Sequence, residues 1–171
     1  MLRWVWLSLV VIFLDQLTKW MAVAWLPGLG IPVPILPHLN FTLAHNYGAA
    51  FSFLGDAGGW QRWFFTSLAT MVSAYLLYWL HKLTEKEVWM AIGLALVLGG
   101  AVGNLLDRVL NGPVIDFIDF YFSEGGYHFA TFNIADVAIS IGAALLVILS
   151  LFTKDESAEE QASATLSQRA K

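Results

Sequence analysis

Residues 88–106 read VWMAIGLALVLGGAVGNLL, and the chain continues Asp107-Arg108-Val109. The run is long, almost wholly apolar and uncharged until its end, which is what a membrane-crossing helix requires. Gly99 and Gly103, four positions apart, allow a second helix backbone to approach closely. The end of the run has a different character. Asn104, Asp107 and Arg108 follow one another at i, i+3 and i+4, so a helix places them on one face. Polar side chains at the boundary of a membrane helix must face protein or water rather than lipid, so this face marks a candidate site.

Three further apolar runs flank this one: Trp4 to about Leu26, about Trp63 to Leu80, and about Ile134 to Phe152. The expectation is an all-α integral membrane protein with four transmembrane helices (about 4–26, 63–80, 88–106 and 134–152), forming a single membrane domain over 1–171. With 171 residues, 58% hydrophobic and 13% charged, the chain is too apolar for an ordinary soluble domain. The net charge of −4 and the lack of a basic stripe argue against a nucleic-acid partner. The absence of cysteine excludes thiolate metal sites, disulfides and a thiol nucleophile.

The positive charges give the orientation. Arg3, Lys82, Lys86, Lys154, Arg169 and Lys171 fall on one side, Arg62 and Arg108 on the other, and Lys19 lies inside the first span. This bias predicts both termini and the 81–87 loop in the cytoplasm, with outer loops 27–62 and 107–131. Pro27, Pro32, Pro34 and Pro37, with alternation from Ile35 to Leu43, predict a small extracytoplasmic β-sheet in the first outer loop. The tail 153–171, rich in Ser, Ala, Glu and Gln, is expected to be cytoplasmic and disordered. Ala22-Val23-Ala24 has the form of a signal-peptide cleavage site, but Asp15, Gln16 and Lys19 make the preceding polar stretch too long. A retained first span is therefore expected.

Several polar residues require a role. Asp15 and Lys19 are spaced i, i+4 and share a helix face. They read as a structural pair with Lys19 snorkelling outward, or as a contact with a substrate or lipid headgroup. Asn46-Tyr47-Gly48 reads as a turn, or as an Asn46 that orients a bound peptide backbone. Asp116 and Asp119 would share one side if their segment were helical, and Asp119 fits a solvated loop charge. Asn133 and Asp136 have the spacing of an N-cap and its N3 residue, as in a capping box. The loop at Glu124 to His128 can fold back and bring Asp116 beside Asp136. Two carboxylates sharing one proton are the machinery of an aspartic protease.

Two other readings use the same residues. Asp116, Asp119, Asp136 and His128 could hold a metal, although no His-x-x-x-His or Glu-x-x-His pair supports one. His45 and His128 otherwise read as interfacial or surface side chains. A transporter or channel subunit would carry polar residues through the bilayer, whereas here they cluster at its outer edge.

Five short motifs occur in order: Asp15-x-x-Thr18-Lys19, Asn46-x-Gly48-x-Ala50-Phe51, Gly103-Asn104-x-x-Asp107-Arg108, Val114-x-Asp116-Phe117 and Phe132-Asn133-x-Ala135-Asp136. Together, on a four-span chain, they resemble the lipoprotein signal peptidase family, also called signal peptidase II. The resemblance covers roughly residues 4–152. It implies an aspartic endopeptidase of the bacterial inner membrane, with its active site at the periplasmic face and no metal or other cofactor. The implied substrates are prolipoproteins whose cysteine carries a diacylglyceryl group, cut immediately before that cysteine. It implies membrane lipids and globomycin-type inhibitors as further partners. The implied catalytic pair is Asp116 and Asp136. Implied substrate-binding or supporting residues are Asp15, Lys19, Asn46, Gly48, Asn104, Asp107, Arg108, Asn133 and Ala135. The stretch around 31–54 is similar to the family's outer surface sheet and short helix.

Overall fold

The computed structural model describes residues 1–48, 58–122 and 128–169, with side chains up to residue 152. A short 3₁₀ turn, Leu2–Trp4, leads into α1 (Val5–Trp25). Strands β1 (Val33–Leu36) and β2 (Leu39–Asn46) follow, then α2 (Trp60–Lys82), α3 (Val88–Leu110), β3 (Val114–Phe120) and α4 (Ile134–Arg169). Among the described residues, four helices are long and apolar enough to cross a membrane. The short helix expected within 31–54 falls partly outside the described residues.

Local chemistry explains where the elements stop. α1 ends at Trp25 because Pro27 disfavours helical backbone at the residue before it and cannot donate a helical hydrogen bond. α3 runs four residues beyond the expected end at Leu106. The amides of Asn111 and Gly112 both donate to the Asp107 carbonyl, at 2.7 and 3.0 Å. Gly112 there takes a left-handed φ of 98°, the usual way a helix terminates. Asn104, Asp107 and Arg108 therefore belong to the last two turns of α3.

α3 is the central helix and packs against α1, α2 and α4. Its glycine pair serves contact within the chain: Gly99 abuts Ser8 and Val11 of α1, and Gly103 abuts Asp15. The close approach lets Ser8 Oγ donate to the Ala95 carbonyl at 2.7 Å. Leu76, Leu80 and Leu83 meet Ala91, Leu94 and Leu98 in an apolar core towards the other end of α3. Large apolar side chains on the outside of the helices, including Phe13, Trp20, Trp63, Met71, Trp89 and Val147, are exposed. They suit a lipid surround, where apolar surface carries no penalty.

The three strands form one antiparallel sheet in the order β1-β2-β3. In it Ala44 pairs with Asp116, and Asn46 with Val114. The strand-like alternation at 35–43 thus corresponds to a hairpin, turned at Pro37-His38. The Asp116–Asp119 segment is a strand and not a helix. On a strand, positions three apart point to opposite faces, so the two aspartates do not share a side. α4 continues as helix from the fourth span to Arg169. Ala, Glu, Gln and Lys are strong helix formers and can extend a helix that has already been nucleated.

Candidate active site

The head of α4 organises the site. The Asp136 amide donates to Asn133 Oδ1 at 3.0 Å, and the Asn133 amide donates to Asp136 Oδ2 at 3.2 Å. This is the reciprocal cap expected from the Asn133–Asp136 spacing. The Asn133 side chain is fully buried and also reaches across to β3. Its Nδ2 donates to Asp116 Oδ1 at 2.6 Å and to Asn104 Oδ1 at 3.1 Å. One asparagine thus ties both aspartates to the start of one helix.

Asn104 holds the second aspartate. Its Nδ2 donates to Asp136 Oδ1 at 2.8 Å, and its Oδ1 accepts from Lys19 Nζ at 2.8 Å. The ammonium orients the amide, because an oxygen that accepts from Lys19 leaves the nitrogen facing the carboxylate. Asn46 covers the other side of Asp116, with Nδ2 donating to Asp116 Oδ2 at 3.1 Å. Asn46 Oδ1 accepts from the Gly48 amide at 3.0 Å, and Arg108 Nη2 donates to the Gly48 carbonyl at 2.9 Å. Asn46 therefore closes the turn expected of it and also reaches the Asp116 carboxylate.

Beneath this layer lies a buried charge cluster. Lys19 Nζ is 2.8 Å from Asp15 Oδ2 and 2.8 Å from Asp107 Oδ2. Lys19 is 1% exposed, so it points inward and does not snorkel to the interface. The reason is local: two carboxylates and the Asn104 oxygen saturate its three donors, which outweighs hydration at the membrane edge. Asp15 Oδ1 accepts from the Ala135 amide at 2.9 Å, and Asp107 Oδ2 from the Ile115 amide at 3.2 Å. The cluster thereby fixes the residues next to both Asp116 and Asp136.

Gln16 belongs to the same layer, although only its neighbours were candidates from the sequence. Its Nε2 donates to the Gly103 carbonyl and to Asp107 Oδ1, each at 3.1 Å. Its adjacency to Asp15 was the one available signal.

Asp116 is 1% exposed. Burial, then the nearby Asp136 charge, pushes its carboxyl up to about 7, against the opposing effect of the Asn46 and Asn133 hydrogen bonds. Asp119 stands apart from the pair. It is buried rather than a solvated loop charge, because Thr42 Oγ1 donates to its Oδ2 at 2.8 Å and His128 Nδ1 lies 2.8 Å from its Oδ1. Burial works to raise the Asp119 carboxyl, but these hydrogen bonds prevail and hold it below the usual range. His128 stacks on Tyr121 with ring centroids 5.6 Å apart. The four side chains considered for a metal are thus split between two places, and among the described residues no group of three or more His, Asp or Glu is placed to hold one.

A cavity of about 500 Å³ opens onto this arrangement. Asn46, Asn104, Arg108 and Asp136 line its polar end, and Val137, Ile139 and Ile141 of α4 line its apolar flank. The segment from Phe129 to Phe132 forms another wall, held to β3 by the Phe132 amide donating to the Ile118 carbonyl at 3.0 Å. The cavity can therefore take a chain that is apolar along its length and polar where it meets Asp136.

Comparison with known proteins agrees with this architecture. Residues 7–152 match the family model described as Signal peptidase (SPase) II. A lipoprotein signal peptidase of Hydrogenovibrio crunogenus is 54% identical over 87% of this chain and 85% of its own length. One from Acinetobacter baumannii is 53% identical, covering 91% of this chain and 86% of its own. One from Coxiella burnetii is 51% identical over 88% and 90%. A bacterial membrane enzyme solved by the in meso method superposes with a TM-score of 0.79 at 34% identity, covering 90% of each chain. On these grounds the chain belongs to the signal peptidase II family.

Proposed function

We propose that this protein is a membrane aspartic endopeptidase that removes the signal peptide from bacterial prolipoproteins, using Asp116 and Asp136 as its catalytic pair. The carrying observation is the Asn133 bridge, which joins Asp116 to the capped head of α4 where Asp136 faces the cavity. Family membership supports peptidase chemistry and lipoprotein substrates.

In this reading Asp136 is the ionised member and Asp116 carries the shared proton. Asp136 takes a proton from water, and the water oxygen attacks the scissile carbonyl. Asp116 donates its proton to the carbonyl oxygen, giving a tetrahedral gem-diol. Asp136 then passes its proton to the departing nitrogen, the C–N bond breaks, and a gem-diol hydroxyl returns a proton to Asp116. The products are a carboxylic acid and an amine, which exchange a proton in water to become carboxylate and ammonium. Asn46 occupies Asp116 Oδ2 in the resting site, and the scissile carbonyl takes its place during reaction. Because both residues titrate as one coupled system, the pair has two macroscopic pKa values. Asn104 and Asn133 hold the carboxylates, while Lys19, Asp15, Asp107 and the Ala135 amide hold the strand and the helix that carry them.

The setting is proposed from the same geometry. The chain is one multi-pass unit of the inner membrane, with both termini cytoplasmic and the site at the periplasmic face. The apolar flank of the cavity suits a lipid-anchored chain, so the substrate is a diacylglyceryl-modified prolipoprotein cut immediately before the modified cysteine. Globomycin-type inhibitors would occupy the same cavity. The test incubates the purified protein in lipid with one prolipoprotein, with and without the diacylglyceryl group, and identifies the products by mass spectrometry. Cleavage before the modified cysteine of the lipidated form alone is the expected result. Equal cleavage of both forms, or a cut elsewhere, would refute the substrate assignment.

A further inference from the structure

α2 packs chiefly on α3, yet its first two turns grip the residue that closes the polar end of the cavity. Arg62 Nε donates to the Arg108 carbonyl at 2.7 Å, and Arg62 Nη2 donates to the Val109 carbonyl at 2.9 Å. These belong to the last turn of α3, whose carbonyls have no helical partner. A guanidinium there satisfies two of them and complements the negative end of the helix dipole. Phe65, one turn further along α2, lies under the Arg108 guanidinium, with Cζ 5.4 Å from the ring centroid. Two neighbouring residues of α2 thus hold Arg108, one by its backbone and the other by its side chain.

The consequence reaches the site. Arg108 lines the cavity beside Asp136 and Asn104. Its Nη2 moors the Gly48 carbonyl at 2.9 Å, and the Gly48 amide fixes Asn46, which contacts Asp116. The route from Arg62 to Asp116 therefore runs through Arg108, Gly48 and Asn46, each link a hydrogen bond.

We propose that Arg62 is a positioning residue for peptide hydrolysis, acting by holding Arg108 so that it moors the Gly48 carbonyl. This rests on the active-site reading above. Lysine in its place would still offer a cation to the α3 carbonyls, but without the fork that takes two of them at once.

The test is a double-mutant cycle on prolipoprotein cleavage with Arg62→Gln, Arg62→Lys, Arg108→Lys and the Arg62→Gln/Arg108→Lys pair. A nitroxide on Tyr47→Cys, feasible because the chain has no cysteine, reports the mooring independently of activity. Arg62→Gln should lower kcat by roughly 10- to 100-fold through misplacement of the site, with Arg62→Lys recovering part of the loss. In the Arg108→Lys background Arg62→Gln should cost much less than it does alone. Arg62→Gln and Arg108→Lys should both raise the mobility of the nitroxide. Additive losses in the cycle, wild-type kcat in Arg62→Gln, or an unchanged nitroxide spectrum would each overturn the proposal. If Asp116→Asn, run in parallel, kept full activity, the dyad assignment would fail instead, while the nitroxide would still report whether Arg62 holds the mooring.

Discussion

Asn133 and Asp116 lie on different elements, 17 residues apart, and meet through a 2.6 Å hydrogen bond between Asn133 Nδ2 and Asp116 Oδ1. The same asparagine caps α4 and binds Asp136. Its replacement therefore affects the fold and the chemistry together. Asn133→Ala should destabilise the protein by about 1 kcal/mol through the lost cap. It should lower cleavage far more, by roughly 100-fold, because the Asp116 carboxylate and the Asn104 amide that holds Asp136 each lose a positioning contact. Thermal unfolding in detergent and a cleavage assay on the same preparation separate the two effects. Losses of equal size in both would contradict the double role.

In the proposed mechanism Asp116 supplies the proton, and burial with the nearby Asp136 charge pushes its carboxyl up to about 7. Activity should fall as pH rises through that value, because the carbonyl then loses its proton donor. Stability follows the same direction. The folded value lies above the ordinary one, so ionisation works against the fold as pH rises from the usual carboxylate range to about 7, and the penalty is complete above it. Infrared titration of the Asp116 carboxyl band should give a midpoint near 7. A midpoint in the ordinary carboxylate range would exclude Asp116 as the proton carrier at neutral pH.

The sequence carries some of these relationships and hides others. The Asn133–Asp136 cap was legible because both partners lie within one helical turn. The run at 88–106 was legible because its length and composition leave few alternatives. The strand at 114–120 was not: seven residues with aspartates three apart fit either a helix face or a strand, and pairing with β2 decides between them. The sequence suggests a Lys19 that pairs with Asp15 and snorkels outward, or that meets a substrate or headgroup, because its other partners, Asn104 and Asp107, come from α3, far along the chain. Asp15 likewise accepts from Ala135, 120 residues away. Arg62 carries no local signal for the contacts it makes, and Gln16 only its adjacency to Asp15.

Lys19 is the cation paired with two buried carboxylates, so its loss should be severe. Lys19→Met leaves Asp15 and Asp107 without their cation and should destabilise the protein by about 3–5 kcal/mol. Adding Asp107→Asn should restore part of that stability, since one uncompensated charge is removed. Unfolding midpoints for the single and double variants check this. A double variant less stable than Lys19→Met would show that the ion pairs are not the source of the loss.

Gly100 fixes the spacing of α3 and α4. A Cβ at this position would collide with the Ala135 carbonyl, beside the amide that Asp15 holds. Gly100→Ala should cost about 1–3 kcal/mol by overpacking and should displace Asp136 enough to reduce cleavage. Gly112→Ala, at the end of α3, should cost stability through its left-handed φ of 98°. It should leave the α3–α4 spacing intact and cleavage less affected. Comparable activity loss in both variants, at matched stability, would contradict the spacing argument.

The most direct test of the central claim measures cleavage of a diacylglyceryl-modified prolipoprotein by wild type, Asp116→Asn and Asp136→Asn, each with and without EDTA. Circular dichroism of each variant confirms that it has folded. A catalytic pair working without a metal predicts full wild-type activity in EDTA and none in either folded variant. Activity surviving in either variant, or wild-type activity abolished by EDTA, would contradict it.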